Sequence, residues 1–329
     1  MSAFLSEYGL FLLQFLTVAV IVVVSILIVF AAARKAQDQD GLTIEHINKT
    51  VEKRTDSVRR ALLGRRDSRK LARRRSRERK DRQRKDRQAD AAPRRRVFVL
   101  DFKGDIRATA TASLREEVSV IIAIARQGDE VLLRLENAGG AVHEHGLAAS
   151  QLTRLRARGI TLTIAVDKVA ASGGYLMACT ADRILAAPFA IIGSIGVLVQ
   201  LPNFHRLLDA KGIDFEQITA GRYKRTLSLF GPNTDEGREK MKEELVEVHE
   251  LFQRQIAELR PAVDLAKVAT GEHWYGSRAL ELELIDEIGT SDDYLLKAVE
   301  TADLYRLSYR RPRRLIERVM QSAEGLLYH

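Results

Sequence analysis

Ser172, in Ala171-Ser172-Gly173-Gly174, and Lys224, in Gly221-Arg222-Tyr223-Lys224, are the residues of this 329-residue chain whose surroundings could support chemistry. A serine hydroxyl becomes a nucleophile when a neighbouring base takes its proton, and a lysine amine kept neutral in an apolar pocket can be that base. Leu132-Leu133-Arg134-Leu135-Glu136 reads as a buried strand that runs into Asn137-Ala138-Gly139-Gly140, where two glycines free the backbone to turn its N–H groups outward. Thr161 to Val166 reads as a second strand, after which a short polar connection delivers Ser172 to an apolar segment, Gly173 to Ala178. A serine at a helix start faces free N–H groups and the positive end of the helix dipole. Ser172, Gly173 and Gly140 could thus converge on one carbonyl, the glycines supplying an oxyanion hole.

Each feature also has a plain reading. Ser-Gly-Gly is a common turn, a lone lysine is usually a solvated charge, and Ser194 could cap a turn. Asp167 and Lys168 are expected to solvate a strand end, and Glu136 to be a satisfied polar group at the glycine turn. Tyr223, Leu227 and Leu229 are expected to dry the surroundings of Lys224, with Arg222 and Arg225 opposing a further proton there. Of the seven histidines, His143 and His145 follow the glycine turn closely and could line a substrate cleft, a surface loop being the plainer reading, and His205 is read as part of an amphipathic helix over 202–208 that buries Leu207 and Leu208. His273 is read as support for the Trp274 region. No cysteine and histidine cluster has zinc spacing, so no metal and no cofactor is expected.

Four segments carry a family resemblance over about residues 97–300: Val166 to Tyr175, Gly193-Ser194-Ile195-Gly196-Val197, Gly221 to Arg225, and Glu272-His273-Trp274-Tyr275-Gly276. The chain resembles the signal peptide peptidase A family of serine-lysine membrane peptidases, and most of all its SohB branch. The resemblance implies Ser172 as nucleophile, Lys224 as general base, Ser194 as the residue that orients the lysine amine, and the N–H groups of Gly140 and Gly173 as the oxyanion hole. It implies an α/β fold of the crotonase-like (ClpP-like) kind, a spiral of ββα units, and assembly into homo-oligomers with active sites near protomer interfaces. Relatives usually carry Ser-Pro-Gly-Gly where this chain has Asn137-Ala138-Gly139-Gly140, so a proline that would preset the turn is missing. In ClpP, which shares the fold, a histidine follows the serine by a couple of dozen residues; here none lies between Ser172 and His205.

The elements that must position these residues follow from periodicity. Val97 to Phe102 and Val131 to Leu135 read as strands, and Ser113 to Arg126 and His145 to Arg158 as helices, an alternation that implies a mostly parallel sheet covered by helices. Asn233-Thr234 starts a long charged helix that ends before Pro261, and Gly276 to Glu283 is a further helix.

Outside this expected peptidase domain (97–303) the character changes. Past a short flank (1–9), residues 10–33 are almost uninterruptedly aliphatic and long enough to span a bilayer, so an uncleaved single-pass anchor in a bacterial inner membrane is expected. Residues 34–96 hold 24 Lys or Arg against 10 Asp or Glu, an excess larger than the net charge of +9 of the whole chain, so the remainder is acidic. This segment reads as a basic linker, helical or disordered, that can touch anionic lipid headgroups. Without aromatic residues for stacking it does not favour nucleic acid. Residues 304–329 read as a basic tail. Basic residues after the anchor favour a cytoplasmic catalytic domain, whereas the resemblance favours the opposite side.

Three functions are compatible with the sequence. The first is a membrane-anchored endopeptidase acting on unfolded or signal-peptide-like segments through an acyl-enzyme. The second is a crotonase-type acyl-CoA enzyme, and the third a non-catalytic membrane scaffold.

Overall fold

The computed structural model describes residues 13, 15–21, 23, 41–63 and 94–310. Most of the expected anchor, the basic run 64–93 and residues 311–329 of the expected 304–329 tail lie outside the described residues, among which no helix is long and apolar enough to cross a membrane, while residues 304–310 form part of a strand. The chain divides into two compact units, one of Met1–Ile44 with Leu307–His329 and the other of Glu45–Arg306. In the smaller unit residues 15–21 are helical, and Thr43 Oγ1 donates to the carbonyl of Ser308 at 3.0 Å.

The described elements in chain order are β1 (Gly41–His46), α1 (Ile47–Leu62), β2 (Arg96–Lys103), α2 (Thr111–Ile124), β3 (Glu130–Glu136), α3 (Val142–Arg156), β4 (Thr161–Val166) and β5 (Val169–Ala171). They continue with α4 (Gly173–Ala178), β6 (Arg183–Ala186), β7 (Ile191–Gly193), α5 (His205–Ala210), α6 (Asp235–Leu259) and α7 (Leu265–Val268). The last are β8 (His273–Tyr275), α8 (Gly276–Glu281), β9 (Glu287–Ile288), α9 (Ser291–Thr301) and β10 (Asp303–Arg310).

In the larger unit the fold is mixed α/β. Strands β10, β2, β3, β4, β6 and β9 lie side by side in that order, each pair parallel. Parallel sheets are covered on both faces, which is why their strands read as continuous apolar runs. Val97 to Leu100, Val131 to Leu133 and Leu162 to Val166 are all buried. A second sheet, ordered β5-β7-β8, takes strands that leave the first: β4 passes into β5 through Asp167-Lys168, and β6 into β7. The end of β3 reaches across as well, through a bridge of Asn137 to Ala170. Both sheets therefore deliver chain ends to one place.

Polar clamps hold the periphery. Asp167, expected to be merely solvated, accepts from the N–H of Ser291 at 2.8 Å and from its hydroxyl at 2.6 Å, fixing the start of α9. On α1, Asn48 donates to the carbonyls of Val299 and Ala302 and accepts from the N–H of Leu304 at 2.8 Å, so this part of the 34–96 segment is bound to the larger unit. Arg96 pairs with Asp129, whose side chain is 4% exposed; burial opposes that charge, but the guanidinium and the N–H of Arg126 outweigh it and hold the carboxyl below its ordinary range.

Candidate active site

Strand β5 pairs in parallel with β7 in the register Ala171↔Gly193, so the next residues, Ser172 and Ser194, leave the sheet side by side. The N–H of Ser172 donates to the carbonyl of Gly193 at 2.7 Å, and that of Ser194 to the carbonyl of Glu272 at 2.7 Å. Both serines have φ of 51°, in the left-handed region that side chains other than glycine rarely adopt. Such strain persists where the surroundings over-determine the backbone. Here the sheet on one side and α4 on the other do so, because the Ser172 carbonyl also accepts the N–H groups of Tyr175 and Leu176. Ser172 is half-buried, and among the described residues neither serine side chain makes a hydrogen bond, so Ser194 is not a cap. With only six residues, α4 contributes through its first N–H groups rather than through a long dipole.

The glycine turn lies directly against Ser172. The N–H of Asn137 donates to the carbonyl of Val169 at 2.9 Å, and the carbonyl of Asn137 accepts from Ala171 at 3.0 Å. Gly139 has φ of 91°, and a Cβ there would stand 2.8 Å from the Cβ of Ser172 and 2.9 Å from the nitrogen of Gly173. A Cβ on Gly140 would stand 2.3 Å from the carbonyl oxygen of Ile106. Glycine at both positions is therefore a matter of space as well as of backbone freedom. Among the described residues the N–H groups of Gly140 and Gly173 donate to nothing. Two open donors thus flank a half-buried hydroxyl.

Beneath this turn the sequence reading needs correcting. His145 is not on a surface loop; it lies on α3, fully buried, with Nδ1 2.9 Å from the carbonyl of Ala141 and Nε2 3.2 Å from Asn137 Oδ1. His143 is exposed. Asn before Ala-Gly-Gly is an Asx-turn signal that could have pointed to Asn137. Nothing local announces His145, because its burial depends on packing under Gly173. Glu136, at the end of β3, pairs with Lys103 and Lys168, each at 3.1 Å, and these partners hold its carboxyl low. Cys179 is buried at the C-terminal end of α4, where burial pushes its thiol up to about 12.

Lys224 stands in a different setting, on the segment 197–231, where α5 is the one helix. Its backbone N–H closes a turn onto the carbonyl of Gly221 at 3.2 Å, and its side chain is exposed. No hydrogen bond joins it to Ser172 or Ser194 among the described residues. Arg222 and Tyr223 are drawn toward α6: Arg222 pairs with Glu236 at 2.7 Å, and the Tyr223 ring receives the Arg222 guanidinium at 5.2 Å and the Lys240 ammonium at 5.5 Å. Tyr223 and Leu229 are themselves 44% and 37% exposed, so within a single chain they do not dry the lysine. The helix near His205 begins at that residue rather than at 202, and Leu207, expected to be buried, is 57% exposed, with Leu208 half-buried.

No group of three or more His, Cys, Asp or Glu able to hold a metal occurs among the described residues. His273 is exposed, and the ring of its neighbour Trp274 lies where a Cβ on Gly193 would be. His249 on α6 sets Nε2 3.2 Å from the carbonyl of Ile195, beside Ser194.

A mixed α/β fold with a strained serine beside two open glycine N–H groups has the layout of the peptidase class. Residues 3–152 match the N-terminal part of peptidase family S49 and residues 154–305 match the family's main part, and the chain belongs to that family. It is 53% identical over 228 residues to a probable protease SohB of Haemophilus influenzae, a match covering 69% of this chain and 65% of the relative. It is 55% identical over 229 residues to a probable protease SohB of Buchnera aphidicola from Acyrthosiphon pisum, covering 70% and 68%. The chain therefore aligns with about two thirds of the length of these relatives. Among solved structures, the membrane-bound stomatin-specific protease 1510-N with a bound substrate peptide superposes over 63% of this chain and 80% of its own, with 15% identity and a TM-score of 0.43.

Proposed function

We propose that this chain is a membrane-anchored serine endopeptidase that hydrolyses unfolded or signal-peptide-like segments through a Ser172–Lys224 dyad. The observation that carries the reading is the register of β5 against β7, which sets Ser172 beside Ser194, with the N–H groups of Gly140 and Gly173 open among the described residues. In this mechanism Ser172 Oγ attacks the scissile carbonyl carbon while its proton passes to Lys224 Nζ. The carbonyl electrons collect on the oxygen, which the N–H groups of Gly140 and Gly173 stabilise. As the C–N bond breaks, Lys224 returns the proton to the leaving amine, and water then releases the acyl group by the same route in reverse. Ser194 aims the amine.

The exposure of Lys224 supports a further part of the proposal. Segment 197–231 presents Leu198, Ile213, Ile218 and Phe230 to solvent, Ile218 at 95%. An apolar surface of this kind belongs under a partner. A neighbouring protomer would cover it, dry the lysine and complete a site between chains of a crotonase-like homo-oligomer. The aliphatic 10–33 segment and the basic residues after it would hold that oligomer at an inner membrane and its lipid headgroups.

The test is hydrolysis of a fluorogenic apolar peptide by the full chain in detergent, against Ser172→Ala and Lys224→Ala at matched oligomeric state. Each substitution is expected to lower kcat by at least about 1,000-fold. Cleavage that survives Ser172→Ala overturns the reading, and turnover of an acyl-CoA instead would move the chain to the other enzyme class. Mixing the two inactive variants is expected to restore activity if serine and lysine meet across an interface.

A further inference from the structure

Asn137 is 1% exposed, and a buried amide must satisfy its donors and its acceptor within the protein. Its Oδ1 accepts the N–H of Gly139 at 2.9 Å and lies 3.2 Å from His145 Nε2, and its Nδ2 donates to Met177 Sδ at 3.3 Å. The orientation is forced: turned over, the amide would set its NH2 against the Gly139 N–H, donor to donor. Room for it is made by Gly104, where a Cβ would stand 2.3 Å from Oδ1. His145, whose Nδ1 lies 2.9 Å from the carbonyl of Ala141, has its ring against Gly173, where a Cβ would stand 2.5 Å from the ring carbon Cγ. One buried pair therefore touches both sides of the oxyanion site: Asn137 ties down the turn that carries Gly140, and His145 supports the backbone of Gly173.

We infer that Asn137 and His145 are positioning residues that set the spacing of the two oxyanion donors, doing with a side-chain hydrogen-bond pair what a rigid ring in the turn would otherwise do. The inference rests on the peptidase reading above. Oδ1 and the Ala141 carbonyl are both acceptors, and a neutral imidazole has one N–H, so the pairing with Asn137 requires that proton on Nε2 and leaves Nδ1 beside the Ala141 carbonyl without a hydrogen bond. Ala138 is exposed and its N–H donates to nothing among the described residues; the main chain of the turn is tied at its ends, by Asn137 to Val169 and Ala171 and by the N–H of Ala141 to the carbonyl of Ile106 at 2.8 Å.

The experiment compares Asn137→Ala, His145→Phe, His145→Gln and the double variant Asn137→Ala with Ala138→Pro in the full chain, with wild type and Ser172→Ala as references. Phenylalanine keeps the bulk and loses the donor; glutamine keeps a donor; proline stiffens the turn through its own φ without removing a used N–H. Asn137→Ala and His145→Phe are expected to lower kcat about 10- to 100-fold with KM within about twofold, because the lost orientation acts on the transition state. His145→Gln is expected to recover most of that loss, and Ala138→Pro to recover at least about fivefold in the Asn137→Ala background. Amide hydrogen exchange over 137–141 is expected to quicken about tenfold in Asn137→Ala, with the strands of the main sheet unchanged.

Wild-type kcat in Asn137→Ala, a change confined to KM, or equal losses in His145→Phe and His145→Gln overturn the inference. If Ser172→Ala still cleaves, the peptidase reading falls by itself, and hydrogen exchange decides the pair alone: unchanged protection of 137–141 in Asn137→Ala overturns it.

Discussion

The two sides of the proposed dyad are built in opposite ways. Around Ser172 the backbone is pinned by two sheets and a helix, glycines are required for space, and a buried Asn137–His145 pair lies underneath. Around Lys224 there is one short helix, exposed leucines, isoleucines and phenylalanines, and a few contacts to the start of α6. The nucleophile side is finished within one chain, whereas on the proposed reading the base side is completed by a neighbouring protomer. A reaction that needs both sides would be silent in a lone protomer.

Four changes would break or sharpen this contrast. The largest effect is expected on the finished side from Gly174→Ala, whose Cβ would stand 2.1 Å from the carbonyl oxygen of Asn137; it should cost about 3 kcal/mol in a urea melt and abolish cleavage. Ile218→Asp addresses the unfinished side. It should dissociate the oligomer in sedimentation and lower kcat about 100-fold while leaving the urea midpoint of the fold unchanged. An assembled and active Ile218→Asp would remove the contrast altogether.

Smaller effects test the frame that both sides share. Asp129→Asn should lower stability near neutral pH by about 2 kcal/mol, by taking the charged partner from Arg96. The carboxyl of Asp129 is held below its ordinary range, so its contribution is present above the unfolded-state value and fades as pH falls through the folded-state value. Thermal melts of the two proteins should therefore converge on acidification, and a constant gap would exclude the ion pair as the cause. Asp167→Ala should cost about 1 kcal/mol by taking the acceptor from the N–H and hydroxyl of Ser291 at the start of α9, with peptide cleavage retained.

Much of the nucleophile side was legible in the sequence because its signals are local. β4 and α4 fall where the apolar runs and the Ser-Gly-Gly turn place them, at 161–166 and 173–178. The two glycines at 139 and 140 announce a turn, and Thr234 caps α6 as its spacing implies, accepting from Gly237 at 3.1 Å. What escaped was set by partners distant in the chain. Asp167 reads as a solvated strand end until Ser291 arrives from 124 positions away. His145 reads as a surface residue near a helix start until Gly173 supplies a surface without a side chain for it to pack on. Leu207 shows the reverse error: an amphipathic pattern promises burial, but it does not say whether the cover comes from the same chain.

The φ of 51° at Ser172 also sets stability against activity. The backbone there suits glycine, so Ser172→Gly would relax the chain by about 1 kcal/mol while removing the hydroxyl proposed above as the nucleophile. Selection for a sturdier fold and selection for a working enzyme pull this position in opposite directions. An inactive glycine variant should outlast the native protein in heat, and a lineage freed from the need to cut would have a thermodynamic reason to lose this serine early.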